Sequence, residues 1–176
     1  MSSLVPAVVA GDERRVIQLL EGGAANPDEI YEEGATILHF AASRGMVGVA
    51  RSLLDANADV GARDWGGAKA LHRASSTGNE QLVRHIIESI SPLSQVDIEV
   101  NDGTSNGTTA LHLAAEAGFT EVVALLLRSR ASVSKTNQAG TSPLHLASRN
   151  GRLAVVEMLL GAGANDSDMD RYGFSA

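Results

Sequence analysis

Four histidines are the residues of this chain whose type and spacing could do chemistry, as metal ligands or as general bases. They are His39, His72, His112 and His145, separated by 33, 40 and 33 residues. Each holds the same place in a recurring phrase: GATILHFAASRG, GAKALHRASSTG, GTTALHLAAEAG and GTSPLHLASRNG. Equivalent positions on neighbouring packed helices lie about 8–10 Å apart, whereas zinc holds its nitrogen ligands at about 2.0–2.1 Å. The spacing therefore predicts a structural role, with each imidazole hydrogen-bonded to the turn and helix start, and no metal site.

Residue pairs that could support catalysis have simpler interpretations. Ser142 lies three residues before His145, but its place in the phrase is that of a helix N-cap. Glu32 and Glu33 are adjacent carboxylates on a predicted turn tip, where solvated charge is the favoured interpretation. The sequence contains neither HExxH nor a P-loop, and no GxGxxG follows a strand pattern. We therefore predict no catalytic residues, no metal and no cofactor.

The composition narrows the class of partner. Of the 176 residues, 44% are apolar and only 3% aromatic, so the core must consist of small aliphatic side chains. A net charge of −7 disfavours nucleic acids and anionic membranes, because both need a basic surface. There are no cysteines, and no run approaches the ~18 apolar residues of a membrane span. These features predict a soluble cytoplasmic or nuclear protein and argue against a nucleic acid or a membrane as its partner.

Each phrase carries the signals of a short helix followed by a second one. Thr109 and Ser142 are placed to cap first helices, and Gly118 is placed to end one in the left-handed conformation. The second helices have apolar residues at i, i+1, i+4 and i+5, a helical stripe. These slots hold Leu82, Val83, Ile86 and Ile87, then Val122, Val123, Leu126 and Leu127, then Val155, Val156, Leu159 and Leu160. A single helix pair buries this stripe only when a neighbour stacks on it.

A T-P-L-H-x-A phrase repeated at a period of 33 residues resembles the ankyrin-repeat family. The resemblance implies an all-α solenoid of stacked helix-turn-helix units with β-turn fingers, forming one domain. The predicted boundaries are 1–30 for an N-terminal capping repeat, 31–63, 64–103 with a seven-residue insertion, 104–136, 137–169, and 170–176 for the start of a further repeat. The insertion falls within residues 90–97, where Pro92 predicts a loop or a helical extension ended at the proline. This loop is either a tolerated surface insertion or a partner-specific contact.

The resemblance also implies a protein–protein interaction module, whose partner docks on the turn tips and the inner face of the first helices. The predicted tip residues are Glu32, Glu33, Trp65, Asn106, Gln138, Arg171 and Tyr172. The predicted first-helix residues are Arg44, Thr77, Glu116, Arg149 and Asn150. Trp65 has two interpretations, as an anchor for the partner or as a cover for its own turn.

Two alternative functions remain open at this point. The chain could be the recruiting or regulatory region of a larger enzyme or channel. Residues 70–79 also resemble a repeat of the gankyrin-type proteasome-assembly chaperones.

Two departures from the repeat pattern carry predictions of their own. Lys69 replaces the capping threonine of the third copy, so that copy should be the least stable, by about 1 kcal/mol. At the other end, the helices of the fifth copy should expose apolar surface around Leu146, Val155 and Leu159. Fraying beyond about Asn165, or self-association of two chains through this uncapped end, is the expected consequence.

Overall fold

The computed structural model describes residues 2–90 and 96–176, which form helix pairs joined by short turns. The elements of the described chain are α1 (Val5–Val9), α2 (Glu13–Glu21), β1 (Ile30–Glu32), β2 (Ala35–Thr36), α3 (Ile37–Arg44), α4 (Val47–Asp55), α5 (Ala70–Thr77), α6 (Glu80–Glu88), α7 (Val96–Val100), α8 (Ala110–Ala117), α9 (Thr120–Arg128), α10 (Pro143–Arg149) and α11 (Leu153–Gly161). The two strands pair antiparallel as a hairpin, with an irregularity between Ile30 and Glu32.

The helices form two layers. The first helices of successive copies pack on one another in the order α3, α5, α8 and α10, and the second helices in the order α2, α4, α6, α9 and α11. Each copy therefore contacts its neighbours in both layers, and the all-α solenoid predicted from the repeat is confirmed. Most of the largest fully buried side chains are aliphatic, including Leu38, Leu82, Leu111 and Leu126. Stability comes mainly from these interfaces between copies, because an isolated pair has no core of its own.

The predicted helix ends are also present. The Ser142 hydroxyl accepts the His145 backbone N–H at 3.3 Å, Pro143 occupies the first turn of α10, and the Thr109 hydroxyl caps α8 in the same way. Gly118 ends α8 with φ +88°, a left-handed conformation that glycine adopts without the Cβ penalty. The caps of α8 and α10 satisfy backbone donors locally, although these helices are only eight and seven residues long.

The insertion differs from the prediction where it can be followed. Residues 91–95, with Pro92, lie outside the described residues. Val96–Val100 form the short helix α7, whose first two residues lie in the segment 90–97 where a loop or an extension of the preceding helix had been expected. Val96 and Val100 are one helical turn apart, Val100 is buried, and Val96 packs partly buried against the core. The apolar pair therefore holds the end of the insertion as a helix.

The expectation for the fifth copy was wrong in the residues it named. Leu146, Val155 and Leu159 are buried, because they face α8, α9 and α10 within the stack. The exposed apolar side chains of α11 are Leu153, 75% exposed, and Leu160, 41% exposed. In α6 the residue equivalent to Leu160 is Ile87, which is buried because α9 packs on that helix. Exposure is thus confined to the flank that no other helix of the described chain covers.

Ser75 is a buried polar residue whose replacement should stabilise the protein. Its side chain is fully buried in α5, and its hydroxyl has no hydrogen-bond partner in the described part of the chain. Alanines occupy the equivalent buried positions, Ala42 and Ala115. Ser75→Ala should raise the free energy of unfolding by about 1 kcal/mol, because an unsatisfied buried hydroxyl is removed. Urea denaturation followed by circular dichroism measures this.

The neighbouring serine provides the matched control. Ser76 is exposed on the same helix, and its hydroxyl donates to the Arg73 carbonyl at 2.8 Å. Ser76→Ala should change the free energy of unfolding by less than about 0.5 kcal/mol. A loss of stability in Ser75→Ala would mean that its hydroxyl is hydrogen-bonded in solution.

Candidate interaction surface

The histidines join each copy to the next one. In all four, Nδ1 accepts the backbone N–H of the residue that precedes the first helix, at 3.1–3.2 Å. Nε2 then lies 2.9–3.2 Å from a carbonyl oxygen near the following turn, those of Ala68, Asp102, Thr141 and Phe174. This pattern assigns the Nε2–H tautomer, in which both ring nitrogens are occupied. The predicted structural role is confirmed, and these nitrogens are not free to bind a metal or a substrate.

Burial keeps three of these imidazoles, those of His39, His72 and His112, neutral. Loss of solvation lowers the pKa of His72 and of His112 from 6.5 to about 4, and it lowers the pKa of His39 in the same direction. The carbonyl contacts of the three rings oppose this shift without cancelling it. The neutral ring is the form that accepts at Nδ1 and donates at Nε2, so the bonding pattern and the protonation state agree.

The turns, which we call fingers 1 to 5, are held in a row by their backbones. They comprise residues 30–36, 63–69, 102–109, 136–142 and 169–175. The tip of each of fingers 2 to 5 donates one backbone N–H to a carbonyl of the preceding finger, at 2.8–3.1 Å. The four bonds run from Trp65 to Glu33, Ser105 to Gly66, Gln138 to Asn106, and Arg171 to Ala139. The tips are thus fixed relative to one another.

All the interaction residues predicted from the sequence lie on the protein surface. On the finger tips, Glu32, Glu33, Trp65, Asn106, Gln138, Arg171 and Tyr172 are exposed. At the ends of the first helices, or just beyond them, Arg44, Thr77, Glu116, Arg149 and Asn150 are exposed as well. The structure places the two sets along the fingers and the adjoining first helices, each set following the copies in chain order.

A groove lies between finger 1, finger 2 and α3, with a volume of about 310 Å³. Its lining includes the aromatic side chains of Tyr31, Phe40 and Trp65 and the carboxylates of Glu32 and Glu33. The Tyr31 and Phe40 rings are 4.7 Å apart between centroids. This groove combines aromatic surface with negative charge, which is a chemistry suited to cations.

Trp65 reaches across to the neighbouring finger. A Cβ built on Gly34 would lie 2.6 Å from the indole Cδ1, so the edge of the indole rests on the backbone of finger 1. The side chain is nevertheless 80% exposed. The alternative that Trp65 covers its own turn does not describe this arrangement, because the covered backbone belongs to the preceding copy.

A second groove, of about 620 Å³, continues along the same side between fingers 2 and 3. Its lining is more polar and includes Arg73, Ser76, Asn106 and Glu116. The two grooves share Asp64, Gly66 and Arg73. The Arg73 guanidinium pairs with Asp64, whose carboxylate is buried. A ridge with no net charge therefore separates an aromatic, acidic groove from a polar one.

The sequence pattern did not indicate the ion-pair cluster at the third copy. Lys69 has no acceptor with which to cap α5. Its Nζ lies 2.5 Å from a carboxylate oxygen of Glu99 and 2.5 Å from one of Asp102, and Arg63 pairs with Asp102 as well. Burial alone would raise the pKa of Asp102, but Arg63 and Lys69 together lower it to about 2. The cluster thus connects the start of α5 to α7 and finger 3.

Comparison with known families agrees with this geometry. A family profile described as ankyrin repeats in three copies matches residues 4–102 and 89–170, which is nearly the whole chain. The chain belongs to the ankyrin-repeat family. Ankyrin repeats are protein–protein interaction modules, and the repeat domain itself is not catalytic.

Three relatives are similar to this chain over part of their length. B-cell lymphoma 3 protein of Homo sapiens is 33% identical over 153 residues, covering 69% of this chain and 34% of the relative. Inversin of Gallus gallus is 30% identical over 130 residues, covering 74% and 11%. Transient receptor potential cation channel subfamily A member 1 of Homo sapiens is 33% identical over 99 residues, covering 56% and 8%. The ankyrin domain spans at most 34% of the length of these relatives.

Two further observations concern membranes and metals. Among the helices of the described residues, none is long and apolar enough to cross a membrane. In residues 2–90 and 96–176, no three His, Cys, Asp or Glu side chains come together in a way that could hold a metal ion.

Proposed function

We propose that this ankyrin domain binds a partner protein through its finger tips and the adjoining ends of its first helices. The observation that supports the proposal most is the row of backbone hydrogen bonds from finger to finger, which presents exposed side chains on a fixed framework. A surface ordered before binding loses less conformational entropy when the partner docks. The two adjoining grooves give that surface concave regions in which a partner segment can bind.

We also propose that the protein recruits or positions its partner and catalyses no reaction of its own. The histidines, which are the chain's best candidates for a general base, are occupied by backbone contacts. A specific observation favours a second candidate function, the recruiting region of a larger protein. One of the relatives is a cation channel of which the match covers only 8%. A cytoplasmic or nuclear location is part of the same proposal.

Alanine substitutions along the fingers should weaken binding without unfolding the protein. Trp65→Ala, Arg44→Ala and Tyr172→Ala remove exposed side chains, so circular dichroism spectra should be unchanged. Each should weaken the affinity for a partner recovered by crosslinking by up to about 2 kcal/mol, the range of interface hot spots. Isothermal titration calorimetry measures the loss.

The control for these variants is an exposed arginine on the second-helix layer. Arg51 lies on α4, away from the fingers, so Arg51→Ala should leave the affinity unchanged. If the three finger variants bind as tightly as the unmodified protein, the partner docks elsewhere, and residues 90–97 are then the first alternative to test.

Self-association through the C-terminal helices stays a prediction. The exposed Leu153 and Leu160 side chains of α11 would form the contact. Sedimentation equilibrium should then give a mass that increases with concentration, and Leu160→Glu should abolish the increase. A concentration-independent monomer would contradict it.

A further inference from the structure

The groove beside Trp65 has a net negative charge. Asp64 contributes none, because its carboxylate is paired with the Arg73 guanidinium. His39, which also lines the groove, is neutral, because its burial lowers its pKa and both its ring nitrogens are hydrogen-bonded. Within residues 2–90 and 96–176, no hydrogen bond or ion pair engages the side chain of Glu32 or Glu33. The carboxylates of Glu32 and Glu33 are therefore available to bind a ligand.

Arg73 is the cation that lines the groove, and Asp64 neutralises it. Arg44 is close by, with its guanidinium carbon 5.3 Å from the centroid of the Phe40 ring, but it does not line the groove. The segment 1–33 as a whole also carries a net negative charge, because it holds seven acidic residues, including Glu32 and Glu33, and two basic ones. Long-range attraction at this end of the stack thus favours a cationic partner.

Trp65 supplies a fixed aromatic wall. Its backbone N–H donates to Glu33 O at 3.0 Å, and its indole edge rests on Gly34, so the ring is positioned by two contacts with finger 1. The ring is 80% exposed, which leaves surface for a ligand to stack on. An indole is the aromatic group that attracts cations best. The wall and the two carboxylates belong to adjacent fingers joined by a backbone hydrogen bond, so they are held in one place.

We propose that this groove binds an arginine side chain from a basic segment of the partner protein. The guanidinium would stack on the Trp65 indole and donate hydrogen bonds to the carboxylates of Glu32 and Glu33. Arginine fits better than lysine, because its planar guanidinium can stack and form a fork of hydrogen bonds at the same time. The inference rests on the proposed interaction function and names the chemistry that the finger surface recognises.

The test is a titration of the whole chain with a labelled short peptide that carries three arginines separated by glycine and serine. A twin peptide with citrulline in place of arginine keeps the shape and removes the charge. Fluorescence anisotropy follows both peptides, and because the chain has one tryptophan, its emission reports on Trp65 itself. We expect the arginine peptide to bind and to change this emission, and the citrulline peptide to bind about tenfold more weakly or not at all.

Protein variants locate the binding. Glu32→Gln with Glu33→Gln, and separately Trp65→Ala, should each weaken the arginine peptide about tenfold. The matched control, Glu21→Gln with Glu157→Gln, removes the same charge from exposed positions on α2 and α11 and should change the affinity less than about twofold. Equal weakening by both charge pairs would show attraction to the overall charge and would overturn the inference, as would equal binding of the citrulline peptide.

The failure of this inference can be distinguished from the failure of the proposed function. If the arginine peptide does not bind while the alanine variants of the fingers still weaken a native partner, the surface is correct and its chemistry is not arginine recognition. If the native partner is unaffected by every finger variant, the proposed function itself is wrong.

Discussion

Lowering the pH from 7 to 5 is expected to reduce the free energy of unfolding of this ankyrin domain by about 4 kcal/mol, with about 2 kcal/mol from each of His72 and His112. In the folded protein, burial lowers the pKa of both groups to about 4, against 6.5 for the free side chain. Between these values the unfolded chain binds protons that the folded protein does not. Protonation therefore favours unfolding.

The direction and the pH window follow from the same pKa values. The stability that depends on neutral histidine is fully present above pH 6.5 and is lost as the pH falls towards 4. The lowered pKa of Asp102, about 2 against 3.8 for the free side chain, acts mainly below pH 4. The loss between pH 6.5 and 5 is therefore expected to come from the histidines, including His39, whose pKa is also lowered.

Urea denaturation at pH 7 and pH 5 measures the effect, and His112→Gln assigns it. The amide of glutamine can still donate a hydrogen bond but does not titrate in this range. This variant should be less stable than the unmodified protein at pH 7, yet lose about 2 kcal/mol less between pH 7 and pH 5. Ser76→Ala, which removes no titratable group from its exposed position on α5, should keep the full pH dependence. An identical loss in His112→Gln would contradict this assignment.

Removal of the Lys69 ammonium is expected to destabilise the protein by about 2–3 kcal/mol. In Lys69→Ala, the carboxylates of Glu99 and Asp102 would lose the cation that lies 2.5 Å from each of them. The side chains of both acids are only 22–24% exposed, so water restores little of the lost interaction. Arg63 still pairs with Asp102, which keeps the cost below that of an isolated buried charge.

Two further variants distinguish the ion pairs from the missing helix cap. Lys69→Thr supplies the hydroxyl that Thr109 supplies to α8, so it should recover about 1 kcal/mol relative to Lys69→Ala. Adding Glu99→Gln to Lys69→Thr removes one unpaired carboxylate and should recover more. The control is Arg51→Ala, which breaks an ion pair of 3.9 Å between side chains 68% and 74% exposed and should cost less than about 0.5 kcal/mol. If Lys69→Ala proves no more costly than Arg51→Ala, the cluster contributes little.

The prediction that the third copy is the least stable stays untested, but the structure changes its basis. The sequence shows only what α5 lacks, a hydroxyl at its N-cap. The cation that replaces it is paired with acids about 30 residues later in the chain, on α7 and finger 3. No local rule of helix capping could have indicated this compensation.

The sequence by itself determined the class of fold, the helix pairs and the role of the histidines. These features depend on interactions within a few residues, such as Thr109 with His112 and Gly118 with the end of α8, and the repeat displays them several times. It also placed every predicted interaction residue on the surface, because finger tips and helix ends face solvent in each copy alike.

Only the tertiary structure decided the features that occur once. They are α7, the cluster around Lys69, the Ser75 hydroxyl, which has no hydrogen-bond partner among the described residues, and the contact of Trp65 with Gly34. The same holds for His72. Its Nε2 bonds to the carbonyl oxygen of Asp102, the first residue of finger 3, whereas Nε2 of His112 bonds to the carbonyl oxygen of Thr141, near the end of finger 4. These contacts join residues about 30 apart on different copies, and they depend on how the copies stack. A periodic pattern specifies what the copies share, and such departures from it are settled only when the side chains pack.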